Sequence, residues 1–166
     1  MDDVYSMGGG FMIVSGGHTG ADRAGLDWAI SNGVRHGGWC PRGRKTENGV
    51  LPEVYRLKET PGAGYLQRTE WNLRDSDATL IFTPDDKLDG GSRRTAAFAD
   101  SLAKPWMHVR PGVHPRYVAR FLLRHGVATL NIAGKRASSA PGIEQFVHDM
   151  LSQALRANQL LATAQP

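Results

Sequence analysis

The chain carries one cysteine, Cys40, in 166 residues. A single thiol cannot build a disulfide framework within the chain, and that economy fits a reducing cytoplasm. No apolar run approaches the length of a membrane span, and the N-terminus lacks the basic-then-apolar order of a signal peptide. Six histidines (18, 36, 108, 114, 125 and 148) lie scattered with no HxxxH or CxxC spacing, so no dedicated metal site is expected. The sequence has no Gly-Lys-Ser/Thr after a glycine loop and no G-x-G-x-x-G, which excludes a Walker loop and the usual dinucleotide fingerprint. No Ser-His-Asp or Cys-His order stands out, and no pair of carboxylates is evident, so no catalytic residue is assigned. Neither sign of charge dominates: the net charge is +4, which favours anionic ligands but is too small to argue for nucleic acid.

What is present describes one globular domain. Hydrophobic residues make up 40% and charged residues 22%, a balance that can bury a core. Residues 1–10 read as a loose leader, 11–162 as the domain, and 163–166 as a frayed tail. Apolar runs predict strands at Phe11–Ser15, Gly38–Cys40, Ala78–Thr83, Trp106–Val109 and Ala128–Ala133. Helical patterns are predicted over Asp22–Asn32, Gln67–Asp75, Ser92–Ala103, His114–His125 and Pro141–Leu161. Residues 41–49 and 53–61 read as loop. Strands alternating with helices predict an α/β fold: a Rossmann-like, doubly wound parallel sheet with helices on both faces. On the last helix Ile143, Phe146, Val147, Met150, Leu151 and Leu155 form a stripe that could dock on the sheet or on a second subunit, so a homo-oligomer is expected.

In open α/β sheets ligands bind outside the carboxyl ends of the strands. Three polar loops fall at such ends: SGGHTGADR, TPDDKLDGGSRRT and NIAGKRASSAPG. Glycines there let backbone N–H groups approach a phosphate, and the following helix N-terminus adds a favourable dipole. Gly16, Gly17, His18, Thr19, Gly20, Asp22 and Arg23 of the first loop are therefore candidate ligand contacts. Gly90 and Gly91 with the hydroxyls of Ser92 and Thr95 are the candidates of the second. Tight turns with Asp22 as a helix cap would produce the same glycines. Arg42 and Arg44, beside Lys45, could clamp a phosphate or carboxylate. On the helix around residue 70, Arg68, Thr69 and Asn72 share a face while Glu70 diverges, which makes Arg68 and Thr69 ligand candidates. Cys40, next to that basic loop, is either a reactive thiol or a buried structural one. Trp28 and Trp106 fall in apolar patterns, so an aromatic-lined nucleic-acid surface is not expected.

The ordered set SGGHTGADRAGLDWAI, GGWCPRGRKTENGVLPEVYRLKET, YLQRTEWNLRDSDATLIF, GGSRRT and LNIAG resembles the molybdenum cofactor carrier family over residues 11–150. That family belongs to a Rossmann-like group that includes the lysine-decarboxylase-like, cytokinin-releasing phosphoribohydrolases. The resemblance implies a cytoplasmic protein that binds molybdenum cofactor (molybdopterin), a phosphorylated pterin, for storage, protection or transfer to molybdoenzymes. Any metal would then arrive with the cofactor. Hydrolysis of nucleoside 5′-monophosphates is the alternative that the wider group implies. The phosphoribohydrolases carry PGGxGTxxE, whereas DGGSRRTAAF places Ala97 or Phe98 where the glutamate would fall. His18 stands where glutamine is usual, Lys135 where proline is usual, and Arg93 and Arg94 where small or apolar residues are expected, which points to a more basic anion site.

Overall fold

A computed structural model describes residues 10–164, with the side chains of 157–164 not described. The expected leader lies outside the described residues apart from Gly10. So does the expected frayed tail apart from residues 163 and 164, which are the last of a helix. The strands are β1 (Met12–Val14), β2 (Arg35–Gly37), β3 (Trp39–Cys40), β4 (Lys45–Thr46), β5 (Gly49–Val50), β6 (Lys58–Glu59), β7 (Ala78–Phe82), β8 (Trp106–Val109) and β9 (Thr129–Gly134). The helices are α1 (Ala21–Ser31), α2 (Tyr65–Arg74), α3 (Gly90–Ser101), α4 (Pro115–Arg124) and α5 (Ile143–Ala164).

Five strands form one parallel sheet in the order β2-β1-β9-β7-β8. The last strand of the chain thus sits in the middle. Counted from β9, the same sheet reads 3-2-1-4-5, the order of the doubly wound dinucleotide-binding fold. The chain follows that fold with its first strand moved to the end. The point where strand order reverses lies between β9 and β7, and the crevice expected at a reversal opens there.

Alternation along the strands gives the two faces different chemistry. Ile13 of β1, Leu80 and Phe82 of β7, and Leu130 and Ile132 of β9 join one apolar cluster with Trp28 of α1, Leu122 of α4 and Leu151 of α5. The stripe on α5 is spent on this cluster: Ile143, Val147, Met150, Leu151 and Leu155 are buried in it and Phe146 packs against it. It is consumed within the chain and gives no ground for a second subunit. The opposite face carries Thr79 and Asn131, both buried and joined by a hydrogen bond from Asn131 Nδ2 to Thr79 Oγ1. Helices α2 and α3 pack against each other on that side. A polar sheet face lets buried hydroxyls and amides stand where a ligand can meet them.

Two parts of the architecture differ from the sequence prediction. β2, Arg-His-Gly, is an edge strand paired only with β1, so it needs no apolar run and gives no hydrophobic signal. Residues 45–59, predicted as loop, form the β4–β5 hairpin and strand β6, which pairs in parallel with β3. Their cohesion comes from Leu51 and Leu57, which join Leu26 and Cys40 in a second small cluster.

Gly134 ends β9 with φ 152°, and a Cβ there would collide with the Phe82 carbonyl oxygen. That carbonyl accepts from Lys135 N at 3.0 Å, which fixes the crevice at the strand-order reversal. Gly134→Ala is therefore expected to cost on the order of 2 kcal/mol through backbone strain. Urea unfolding checks this, and an unchanged midpoint and slope would refute the close approach.

Candidate functional site

A cleft of about 550 Å³ opens over the ends of β1 and β9, between α2 and α3. Gly16, His18, Thr19 and Asp22 line it from the first loop, and Tyr65, Leu66, Arg68, Thr69 and Asn72 from α2. Asp89, Gly90, Gly91, Ser92, Arg94 and Thr95 line it from the start of α3, and Asn131 through Arg136, with Ser139, from β9 and beyond.

The floor is a charge pair. Arg68 Nη1 donates to Asp22 Oδ2 at 2.7 Å, and both side chains are largely buried. The same carboxylate oxygen accepts from His18 N at 3.3 Å, which holds the glycine loop over the start of α1. Gly16 is glycine because a Cβ there would overlap the Arg68 guanidinium. Nη1 is the Arg68 donor with a protein acceptor, while Nε is buried without one. Tyr65 stands over this floor: its ring lies 5.5 Å from the Arg68 guanidinium carbon and 5.7 Å, edge to face, from His18. Burial pushes the His18 imidazole below its ordinary pKa, against the pull of Asp22, so it is neutral at pH 7.

The two glycine loops differ in what their amides do. At α1 the chain itself takes them up: Ala21 N donates to Lys135 O, Arg23 N to His18 O, and Ala24 N to Gly20 O. At α3 the cap residue Asp89 makes no side-chain hydrogen bond to the helix, and the first amide with a backbone acceptor is Arg93 N, to Asp89 O. The amides of Gly90, Gly91 and Ser92 have no acceptor among the described residues and face the cleft. Asp89 is instead ion-paired with Lys135 across the opening. Arg94 and Arg136 line the cleft with no carboxylate partner among the described residues. Two free cations and three free amides thus meet at the α3 end.

Several candidates from the sequence lie elsewhere. Gly17 does not line the cleft; its open side faces Leu51 and Leu57 of the second apolar cluster. Gly20 is packed on the backbone of Lys135–Ala137. Arg23 points away from the cleft, 5.5 Å over the Tyr55 ring and towards Gly17 O. Arg44 is not a ligand clamp: its guanidinium donates to the carbonyls of Leu51, Pro52, Tyr55 and Leu57. Four backbone acceptors consume its donors and fold the 44–57 segment around it. Arg42 lines a separate hollow. Thr69 lines the cleft, although its hydroxyl donates to Tyr65 O. Cys40 is buried in the second cluster, and burial raises its thiol pKa, which makes it structural rather than reactive. Among the described residues no group of three or more His, Cys, Asp or Glu could hold a metal, and no helix is long and apolar enough to cross a membrane.

Tyr65, Leu66, Arg94 and Arg136 were not among the sequence candidates. α2 begins two residues before the predicted Gln67, with Gly64 as a cap that makes no side-chain bond and so leaves no capping signature. With that start, Tyr65, Arg68, Thr69 and Asn72 fall at i, i+3, i+4 and i+7 on one face. Arg94 follows Gly91 by three residues on α3, a spacing that could have separated it from Arg93. At the rim, Glu47 on the β4–β5 turn accepts from Thr19 Oγ1 and from Ser138 Oγ (2.6 Å) and N (3.2 Å). The hydrogen bonds from Ser138 and then Thr19 hold its carboxyl down at about 2. This acceptor set ties the hairpin to the loop after β9.

Residues 13–155 match the circularly permutated YpsA SLOG family, and the chain belongs to that family. The permutation agrees with the sheet order, in which the last strand takes the first position. The resemblance to molybdenum carrier proteins also holds. The crystal structure of "Putative molybdenum carrier protein" from Syntrophus aciditrophicus SB superposes with a TM-score of 0.82 at 43% identity, over 87% of this chain and 94% of that one. An (E)-4-hydroxy-3-methyl-but-2-enyl diphosphate reductase aligns at 12% identity and a TM-score of 0.36, over 92% of this chain and 60% of that one, too slight a likeness to bear on function. No curated protein matches the chain.

Removing Arg68 alone would leave Asp22 charged and buried without its partner. Arg68→Leu is expected to destabilise by roughly 3 kcal/mol. Asp22→Asn added to it should recover part of the loss, and a double-mutant cycle measures the coupling. Additive effects would show that the pair does not hold the floor.

Burial lowers the pKa of His18, and likewise of His36 and His108, from 6.5. In the unfolded chain these imidazoles take up protons near pH 6.5, and in the folded protein only at lower pH. Across that window the unfolded chain binds more protons, so stability rises with pH up to about 6.5 and levels above it. The melting temperature should be lower at pH 5.5 than at pH 7.5. Equal values would contradict the neutral, buried imidazoles.

Proposed function

We propose that the cleft binds a phosphorylated pterin, molybdenum cofactor, as cargo to be stored, protected or handed on to molybdoenzymes. The observation that carries this reading is the α3 end of the cleft, where unpartnered amides of Gly90, Gly91 and Ser92 meet the unpaired cations Arg94 and Arg136. Free N–H groups at a helix start, backed by the helix dipole and guanidinium donors, suit a phosphate. The flat remainder of the ligand lies between the Tyr65–Leu66 wall and the polar face of β9, with Arg68 supplying donors to ring acceptors. The cleft volume falls in the range of small-molecule sites. The carrier named for the Syntrophus aciditrophicus protein supports the same ligand class, as does membership of the family.

The residues fit a bound anion better than a hydrolytic step. Release of a base from a nucleoside monophosphate needs a carboxylate near the sugar to manage charge and proton. The two carboxylates that line the cleft, Asp22 and Asp89, are both engaged by cations, Arg68 and Lys135.

Pterin monophosphate at a hundredfold excess over its dissociation constant should stabilise the native state by about 2.7 kcal/mol, a rise of several degrees in melting temperature. Arg94→Ser should weaken that binding by about tenfold to a hundredfold, the range of one hydrogen bond to a charged group. Binding of the dephosphorylated pterin should hardly change. Equal loss for both pterins would remove the phosphate from the α3 end. Time-dependent release of free base from adenosine or guanosine monophosphate would replace the carrier reading with the hydrolytic one.

A further inference from the structure

A second hollow of about 290 Å³ adjoins the cleft, lined by Pro41, Arg42, Gly43, Lys45, Ala63 and Tyr65. Tyr65 walls both cavities. We infer that this hollow is a second ligand subsite, and that the ligand it completes is a dinucleotide-type molecule whose pyrophosphate-linked nucleoside crosses the Tyr65 ring. The inference rests on the proposed phosphate site at α3 and adds the second half of the ligand.

The hollow is built rather than incidental. Arg42 N donates to Gly62 O at 3.1 Å and joins its two walls. Gly62 is held in turn: its carbonyl accepts from Thr60 Oγ1 and its amide donates to Gln67 Oε1 of α2. Arg44, spent on four backbone carbonyls, fixes the segment from which Arg42 and Lys45 project. Neither Arg42 nor Lys45 has a carboxylate partner among the described residues. The nearest acidic engagement is Glu59, whose Oε1 accepts from Gly43 N at 2.7 Å.

The lining separates two chemistries. Pro41, Ala63 and the Tyr65 ring give an apolar floor against which a planar base can lie. Arg42 and Lys45 supply charge and donors for a bridging phosphate or ribose. Tyr65 is half exposed, as is Leu66 beside it, so an aromatic surface stands ready on the path between the cavities.

Two synthetic probes distinguish the possibilities: a pterin monophosphate, and the same pterin joined through pyrophosphate to adenosine. The full chain should bind the dinucleotide about tenfold or more tighter than the monophosphate. Arg42→Ser/Lys45→Ser should bring the dinucleotide back to the affinity of the monophosphate and leave the monophosphate unchanged. Both side chains are exposed, so the variant should melt like the parent. If the monophosphate binds and the dinucleotide binds no tighter, the second subsite is refuted while the α3 site stands. If the double variant weakens both probes alike, the two cations act only through their general field, and the subsite is likewise refuted. If neither probe binds the parent, the proposed function fails and the subsite with it.

Discussion

The pairing of Arg68 with Asp22 is the constraint on which the site depends. It joins the first turns of two helices, α1 and α2, that approach the sheet from different faces. A buried ion pair contributes little net stability, because desolvation offsets most of its attraction. Its value here is positional. The guanidinium occupies the space where a Cβ at residue 16 would stand, so the strand must leave the sheet through glycine. The carboxylate that holds the guanidinium also accepts from His18 N, so the glycine loop cannot shift without breaking the pair. Cleft floor, loop and helix starts form one unit.

That unit explains why two similar-looking glycine loops serve different ends. Around α1 the amides are consumed by Lys135 O, His18 O and Gly20 O, and the loop is scaffold. Around α3 the cap carboxylate of Asp89 is turned outward to Lys135, and the amides behind it are left for a ligand. The polar sheet face continues this logic: Thr79 and Asn131 satisfy each other beneath the cleft, so the floor stays ordered whether or not a ligand is present.

The sequence was most legible where burial alone decides structure. Ala78–Phe82 is buried at every position and reads as a strand without context. The alternation of strands and helices was enough for a parallel, doubly wound sheet. The insertion of β9 between β1 and β7 was not legible, because strand order depends on pairing between distant segments. The same limit governed the site. Arg44 resembles a phosphate clamp in a string of basic residues, and only the fold brings four carbonyls around it. Gly17 and Gly20 look like phosphate glycines, yet one faces Leu51 and Leu57 and the other packs on the loop after β9. Tyr65 was lost because its helix starts on an uncapped glycine two residues early.

The reordered sheet places the strand reversal between β9 and β7, and the α3 amides stand beside it. A crystal structure of the protein with pterin monophosphate tests this placement most directly. The account predicts the phosphate within hydrogen-bonding reach of the Gly91 and Ser92 amides and of the Arg94 guanidinium. A phosphate seated instead at Gly17 and Gly20, before α1, would contradict it.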